Sequence, residues 1–114
     1  MTAPAAPRAL DAAVAERVMG WTLVESGPGY YLSSWFPSTD IAAAWQVVER
    51  MHERGYRLVL ESHWHSGSMW SACFVTEGLT LGDGESWGAS APWCICSAAI
   101  AALAARKEAP PANG

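Results

Sequence analysis

Two pairs of side chains in this chain could act together in chemistry, His63-x-His65 and Cys94-x-Cys96. Imidazole and thiolate are both good zinc ligands. In an extended segment His63 and His65 share a face, because side chains alternate along a strand. The cysteines are less favourable. Residues two apart on a helix diverge by about 200°, so a helical Cys94 and Cys96 do not chelate one ion together. The ligand spacings of structural zinc sites are also absent. No metal is expected, and no other cofactor.

Cys94 can also be weighed as a nucleophile. It falls near the start of an expected helix, a position that lowers a thiol pKa, and His52, His63 or His65 could serve as base. Nothing in the sequence brings them together, and a structural cysteine is the better reading. Gly27-Pro28-Gly29 is not a phosphate loop, since no Gly-Lys-Ser/Thr follows it. Asp83-Gly84-Glu85 lacks the further oxygen ligands of a calcium loop. No catalytic residue is assigned, and the reading leans against an enzyme. The best binding candidate is instead an aromatic and histidine cluster: His63, Trp64, His65, Trp70 and Trp87, with Met69 beside them. A tryptophan flanked by two histidines in a polar loop is poorly explained by core packing. Such groups stack on a ring or anchor a protein interface, although aromatics also close the ends of sheets.

The 114 residues make one domain, and a hydrophobic content of 51% is enough for a core without disulfides or metal. A formal charge of -4 argues against nucleic acid as the main partner, because phosphate binding needs a basic surface. Arg50, Arg54 and Arg57 lie close in sequence but read as scattered, solvated charges. The 7 tryptophans exceed what a core this small can fully bury, so some should lie at a groove, a partner surface or an interface between copies. The 3 cysteines suit a reducing compartment. Nothing resembles a signal peptide, and the longest apolar stretch, Ala91 to Ala105, is short for a membrane span. A soluble, cytoplasmic protein is expected.

The elements that must position these groups follow from periodicity. Residues 1–9, with two prolines, read as a flexible tail. Leu10 to Met19 reads as a short helix with Leu10, Ala13, Val14 and Val18 on its stripe and Asp11 outside it. Thr22 to Glu25 reads as a short strand, and Tyr30 to Trp35 as a second strand or an ordered loop. Ser38 is the expected N-cap of the clearest helix, whose stripe is Ile41, Ala44, Trp45, Val48 and Met51, widened by Val47. Gly55 supplies the left-handed residue that ends it. Tyr56 to Ser62 alternates as a strand. Met69 to Thr76 is apolar on both faces and so central, and Glu85 to Ala89 is a short strand. Ser90 and Pro92 open a final helix to about Arg106, and 107–114 is a second tail. The fold expected for residues 10–106 is α+β: an α/β/α layered sandwich with a mostly antiparallel central sheet of about four to five strands and three helices.

Three segments together resemble a known family: Leu10-Asp11 with Val14-Ala15-Glu16-Arg17-Val18-Met19-Gly20-Trp21; Pro37-Ser38-Thr39-Asp40-Ile41-Ala42-Ala43-Ala44-Trp45-Gln46-Val47-Val48-Glu49; and Ala91-Pro92-Trp93-Cys94-Ile95-Cys96-Ser97-Ala98-Ala99. In this order they are similar to the phage ABA sandwich domain family, small proteins encoded largely by bacteriophages and prophages. The resemblance covers about residues 10 to 105 and implies an α/β/α layered fold. It carries no shared catalytic residues. Ile95-Cys96 fits the family pattern, whereas Cys94 stands where a small apolar residue is more usual. Residues 61–84 match least, and individual function is expected there. The leading expectation is a non-enzymatic accessory protein in a bacterial host cell that binds a host protein or a small ligand, in a counter-defence or inhibitory role, with self-association open. The alternatives are a small metal- or thiol-dependent hydrolase and a structural or assembly component of a phage particle.

Overall fold

The computed structural model describes residues 7–21, 35–63, 69–76 and 85–106. Along the chain these form helix α1 (Pro7–Arg17), helix α2 (Ile41–Glu53), strand β1 (Arg57–His63), strand β2 (Met69–Val75), strand β3 (Ser86–Gly88) and helix α3 (Ala91–Arg106). The sheet runs β1-β2-β3 and both pairings are antiparallel. The α+β class with three helices therefore holds. The sheet has three strands among the described residues, not four to five. The strand expected at 22–25 and the strand or ordered loop expected at 30–35 lie outside those residues, except for Trp35. Helix α1 begins at Pro7, within the stretch 1–9 expected as a tail, and residues 1–6 and 107–114 lie outside the described residues.

Alternation along the strands divides the sheet into two sides. Leu58, Leu60, Trp70, Ala72 and Phe74 join the buried residues of α1, α2 and α3 in one core, with Tyr56 just ahead of β1. All of these point to the same side. The opposite side carries Arg57, Val59, Glu61 and His63 on β1, Met69, Ser71, Cys73 and Val75 on β2, and Trp87 on β3, by the registers Glu61↔Ser71 and Ser71↔Trp87. The described core thus lies on one side of the sheet, and no described helix covers the other. Strand β2 is central, as its two apolar faces require.

Helix α2 shows where local signals succeed and fail. Gly55, with φ +92°, is the left-handed residue past the helix end, and Tyr56 N–H reaches Met51 C=O at 3.0 Å while Gly55 N–H reaches His52 C=O at 3.0 Å. This is a Schellman ending. The N-cap is Asp40 rather than Ser38: its Oδ1 accepts from Ala42 N–H at 3.2 Å. Ser38 sits one turn earlier and is buried, with its backbone N–H donated to Asp11 Oδ1 at 2.8 Å. Asp11 is 1% exposed rather than outside the stripe, and it also pairs with Arg8 at 2.6 Å. A single carboxylate therefore joins α1 to the turn that launches α2.

The buried stripe of α2 is Ala43, Ala44, Val47, Val48 and Met51. It is rotated from the expected stripe, so Ile41 and Trp45 are each 49% exposed. The reason is the packing partner. Helix α2 packs against α3, whose Ala98, Ala99 and Ala102 are fully buried, and small side chains on both helices permit a close approach.

Candidate functional site

The candidate site is built at the end of the sheet where β1 finishes and β2 begins. His63 is the last residue of β1, and its Nε2 lies 2.9 Å from Ser71 Oγ on β2. Trp87 pairs with Ser71 across the β2–β3 ladder. Its indole meets the His63 imidazole with ring centroids 4.5 Å apart and 31° between planes. Ser71 is 3% exposed, whereas Trp87 remains 47% exposed. A buried hydroxyl thus fixes the imidazole, and the imidazole supports an indole that stays open to solvent.

Beside Trp87 lies a cleft of about 370 Å3. Ser38 and Thr39 line it from the turn before α2, the stretch from Trp87 to Ser90 lines it from β3, and Trp93 lines it from α3. Gly88 makes this arrangement sterically feasible. A Cβ at this position would stand 2.8 Å from Trp93 Cε3 and 3.2 Å from Cys94 Sγ. Only glycine lets the first turn of α3 lie this close to the edge strand.

Of the five residues expected to bind, the structure brings His63 and Trp87 together. Trp70 lies on the other side of the sheet, packed against the helical core. Trp64 and His65 lie outside the described residues. Sequence reasoning missed Ser71, Trp93 and the Ser38–Thr39 wall. Ser71 could have been found as the one hydroxyl within the apolar run Met69–Val75.

The chemistry open to these groups is narrow. A serine hydrogen-bonded to histidine begins a nucleophilic pair, but Ser71 is enclosed. Among the described residues no carboxylate hydrogen-bonds His63. Cys94 is buried, and its thiol donates to Trp70 C=O at 3.4 Å. Burial pushes its pKa up to about 11, so desolvation outweighs the lowering expected near a helix N-terminus. Burial, and then the nearby Asp11 carboxylate, push Cys96 up as well. Neither thiol is a thiolate at neutral pH. Among the described residues no group of three or more His, Cys, Asp and Glu side chains could hold a metal ion.

The arginines near α2 are engaged elsewhere. Arg54 Nη1 donates to Arg17 C=O at 3.0 Å, and Arg50 Nε donates to Val18 C=O at 3.4 Å. Both satisfy carbonyls at the end of α1, where positive charge suits the helix dipole. No described helix is long and apolar enough to cross a membrane.

Comparison with known proteins agrees with this architecture. The crystal structure of a phage protein from Bacillus cereus ATCC 14579 superposes with a TM-score of 0.66 at 20% sequence identity, covering 90% of this chain and 96% of that one. At that identity the likeness shows the fold. No curated protein matches the chain. The model of the phage ABA sandwich domain matches residues 12–100, from within α1 to the middle of α3. The chain belongs to the phage ABA sandwich domain family.

Proposed function

We propose that this chain is a non-enzymatic phage or prophage accessory protein that works by binding in the cytoplasm of a bacterial host. Its recognition surface is centred on Trp87, with His63 beside it. One observation carries the reading: a large indole is held about half exposed by a defined neighbour, at the wall of a cleft. Exposed apolar area of this kind is costly in the free protein and is recovered when a partner covers it. Trp64 and His65 follow His63 directly in sequence and belong to the proposed binding set, though they lie outside the described residues. The partner is a host protein or a small ligand, and a counter-defence or inhibitory role is the use of such binding that suits a phage gene. The buried Ser71 and the protonated, buried Cys94 weigh against a hydrolase.

Native mass spectrometry of the protein purified from its own host tests this. Wild type is expected to retain an added mass, from a ligand or from a partner chain, that Trp87→Ala loses. An added mass kept equally by Trp87→Ala would move the binding surface away from Trp87.

A further inference from the structure

The geometry points to a particular occupant for the cleft beside Trp87: an uncharged aromatic ring system of one or two fused rings, stacked on the indoles of Trp87 and Trp93. This inference rests on the reading of Trp87 as a binding residue and names the ligand class for that site. Three features select the occupant.

The first is charge. The cleft is lined by Ser38, Thr39, Trp87, Gly88, Ala89, Ser90 and Trp93, and none of these carries an ionised side chain. An ionised ligand would lose water there without gaining an opposite charge, and that is unfavourable. A neutral ring keeps its favourable transfer out of water. Thr39 and Ser90 are exposed, neutral polar residues at the edge of the cleft.

The second is fixation. Trp93 lies against the backbone of Gly88, so close that even a methyl group there would collide with its ring. Trp87 is supported by His63, itself held by Ser71. The Ser38 wall is held by Asp11, which accepts the Ser38 N–H from across the α1–α2 junction. Both indoles and the facing wall are therefore in place before a ligand arrives, which reduces the entropy lost on binding.

The third is size. A volume of about 370 Å3 lies at the lower end for small-molecule sites. It suits one or two rings and not a folded partner's element. Two of the seven lining residues are tryptophans, and an aromatic ring is the partner that gains most from an indole, since aromatic pairs gain beyond their buried area.

The test is a titration of the full chain followed by NMR at the indole N–H signals. The probes are free indole, benzoate as a charged ring, and methyl glucoside as a neutral ring that is not aromatic. Indole is expected to shift the Trp87 and Trp93 signals saturably and to leave Trp45 unmoved. Benzoate and glucoside are expected to bind at least about fivefold more weakly. Trp93→Leu should weaken indole about five- to tenfold, the loss of one aromatic pair. Gly88→Ala, which displaces Trp93, should weaken it similarly. Cross-relaxation from bound indole to the Trp93 ring in wild type needs no variant and is expected to be observed.

Absence of a shift at both tryptophans would overturn the inference. So would benzoate or glucoside binding as tightly as indole, or indole affinity unchanged in Trp93→Leu. If the inference fails while the host-derived mass is still lost in Trp87→Ala, the binding reading stands with a different occupant. If that mass does not depend on Trp87, the reading itself fails.

Discussion

Phe74 and Cys73 are neighbours on the central strand and both are buried, yet they belong to differently built halves of the molecule. Phe74 belongs to a core shared by three helices that also includes Leu10, Val14, Val47, Met51, Ile95 and Ile100. Cys73 points to the side that carries the His63–Ser71 hydrogen bond and whose edge carries an exposed indole. The helix-packed side has continuous apolar contact and satisfied helix ends. On the other side Ser71, Cys73 and Val75 are buried as well, but no described helix packs there, and Trp87 at its edge stays open to solvent. Among the described residues the large apolar contacts are concentrated on the helical side.

The sharpest way to break this contrast is to truncate the two neighbours. Phe74→Ala is expected to lower unfolding free energy by about 3–5 kcal/mol, from lost transfer energy and the cavity left behind. Cys73→Ala, also buried, is expected to cost only about 1 kcal/mol, near the value for one small apolar group. Denaturant melts of both variants measure the difference. Equal losses would mean that the two sides are packed alike, and the division drawn here would be wrong.

A smaller effect lies at the junction of α1 with the start of α2. Asp11→Ala removes the acceptor of the buried Ser38 N–H and the partner of Arg8. An unsatisfied buried donor costs about 1–3 kcal/mol. Asp11→Asn keeps an acceptor oxygen and loses the charge, so it should cost less than Asp11→Ala. Amide exchange at Ser38 should accelerate in Asp11→Ala more than exchange at β2 amides does. Because Ser38 also lines the cleft, the loosening connects the stable half to the candidate site. Exchange at Ser38 that is unchanged would show that the carboxylate does not hold this wall.

These residues also show what was legible in the sequence. The Schellman ending at Gly55, the central place of Met69–Val75 and the start of α3 after Ser90 are set by local chemistry, and local chemistry can be read along a chain. Asp11 could not be read that way. Its partner Ser38 is 27 positions distant, and only the fold brings them together. That long-range bond holds Ser38 buried in the turn ahead of α2, and Asp40, two residues later, caps the helix. The α2 stripe held at Ala44, Val47, Val48 and Met51 and missed at its edges, where Ala43 is buried while Ile41 and Trp45 are each 49% exposed. Periodicity shows that one face is apolar, but which edge of it is covered depends on the packing of α2 against α3. At the site, His63 and Trp87 were legible as residue types suited to binding. Ser71 and Trp93 were not, because strand register and the Gly88 contact decide their proximity.

The smallest expected effect is the one that matters most for the exposed half. Trp87 is nearly half exposed, so Trp87→Ala should cost about 1 kcal/mol or less of stability, and His63→Ala should cost no more. The informative quantity is the coupling between them. Ring pairs of this geometry contribute about 0.5–1.5 kcal/mol beyond their buried area. A double-mutant cycle of His63→Ala, Trp87→Ala and the pair isolates that contribution from the loss of each side chain alone. A coupling of about 0.5 kcal/mol or more would mean that His63 holds the indole in place, with Ser71 as the anchor beneath. Trp87 would then be oriented before any partner arrives, and His63→Ala would weaken binding without His63 touching the ligand. A coupling near zero would mean that the 4.5 Å contact is proximity without attraction. The indole would then sample several orientations, and the preorganisation on which the cleft's selectivity depends would have to come from Trp93 alone.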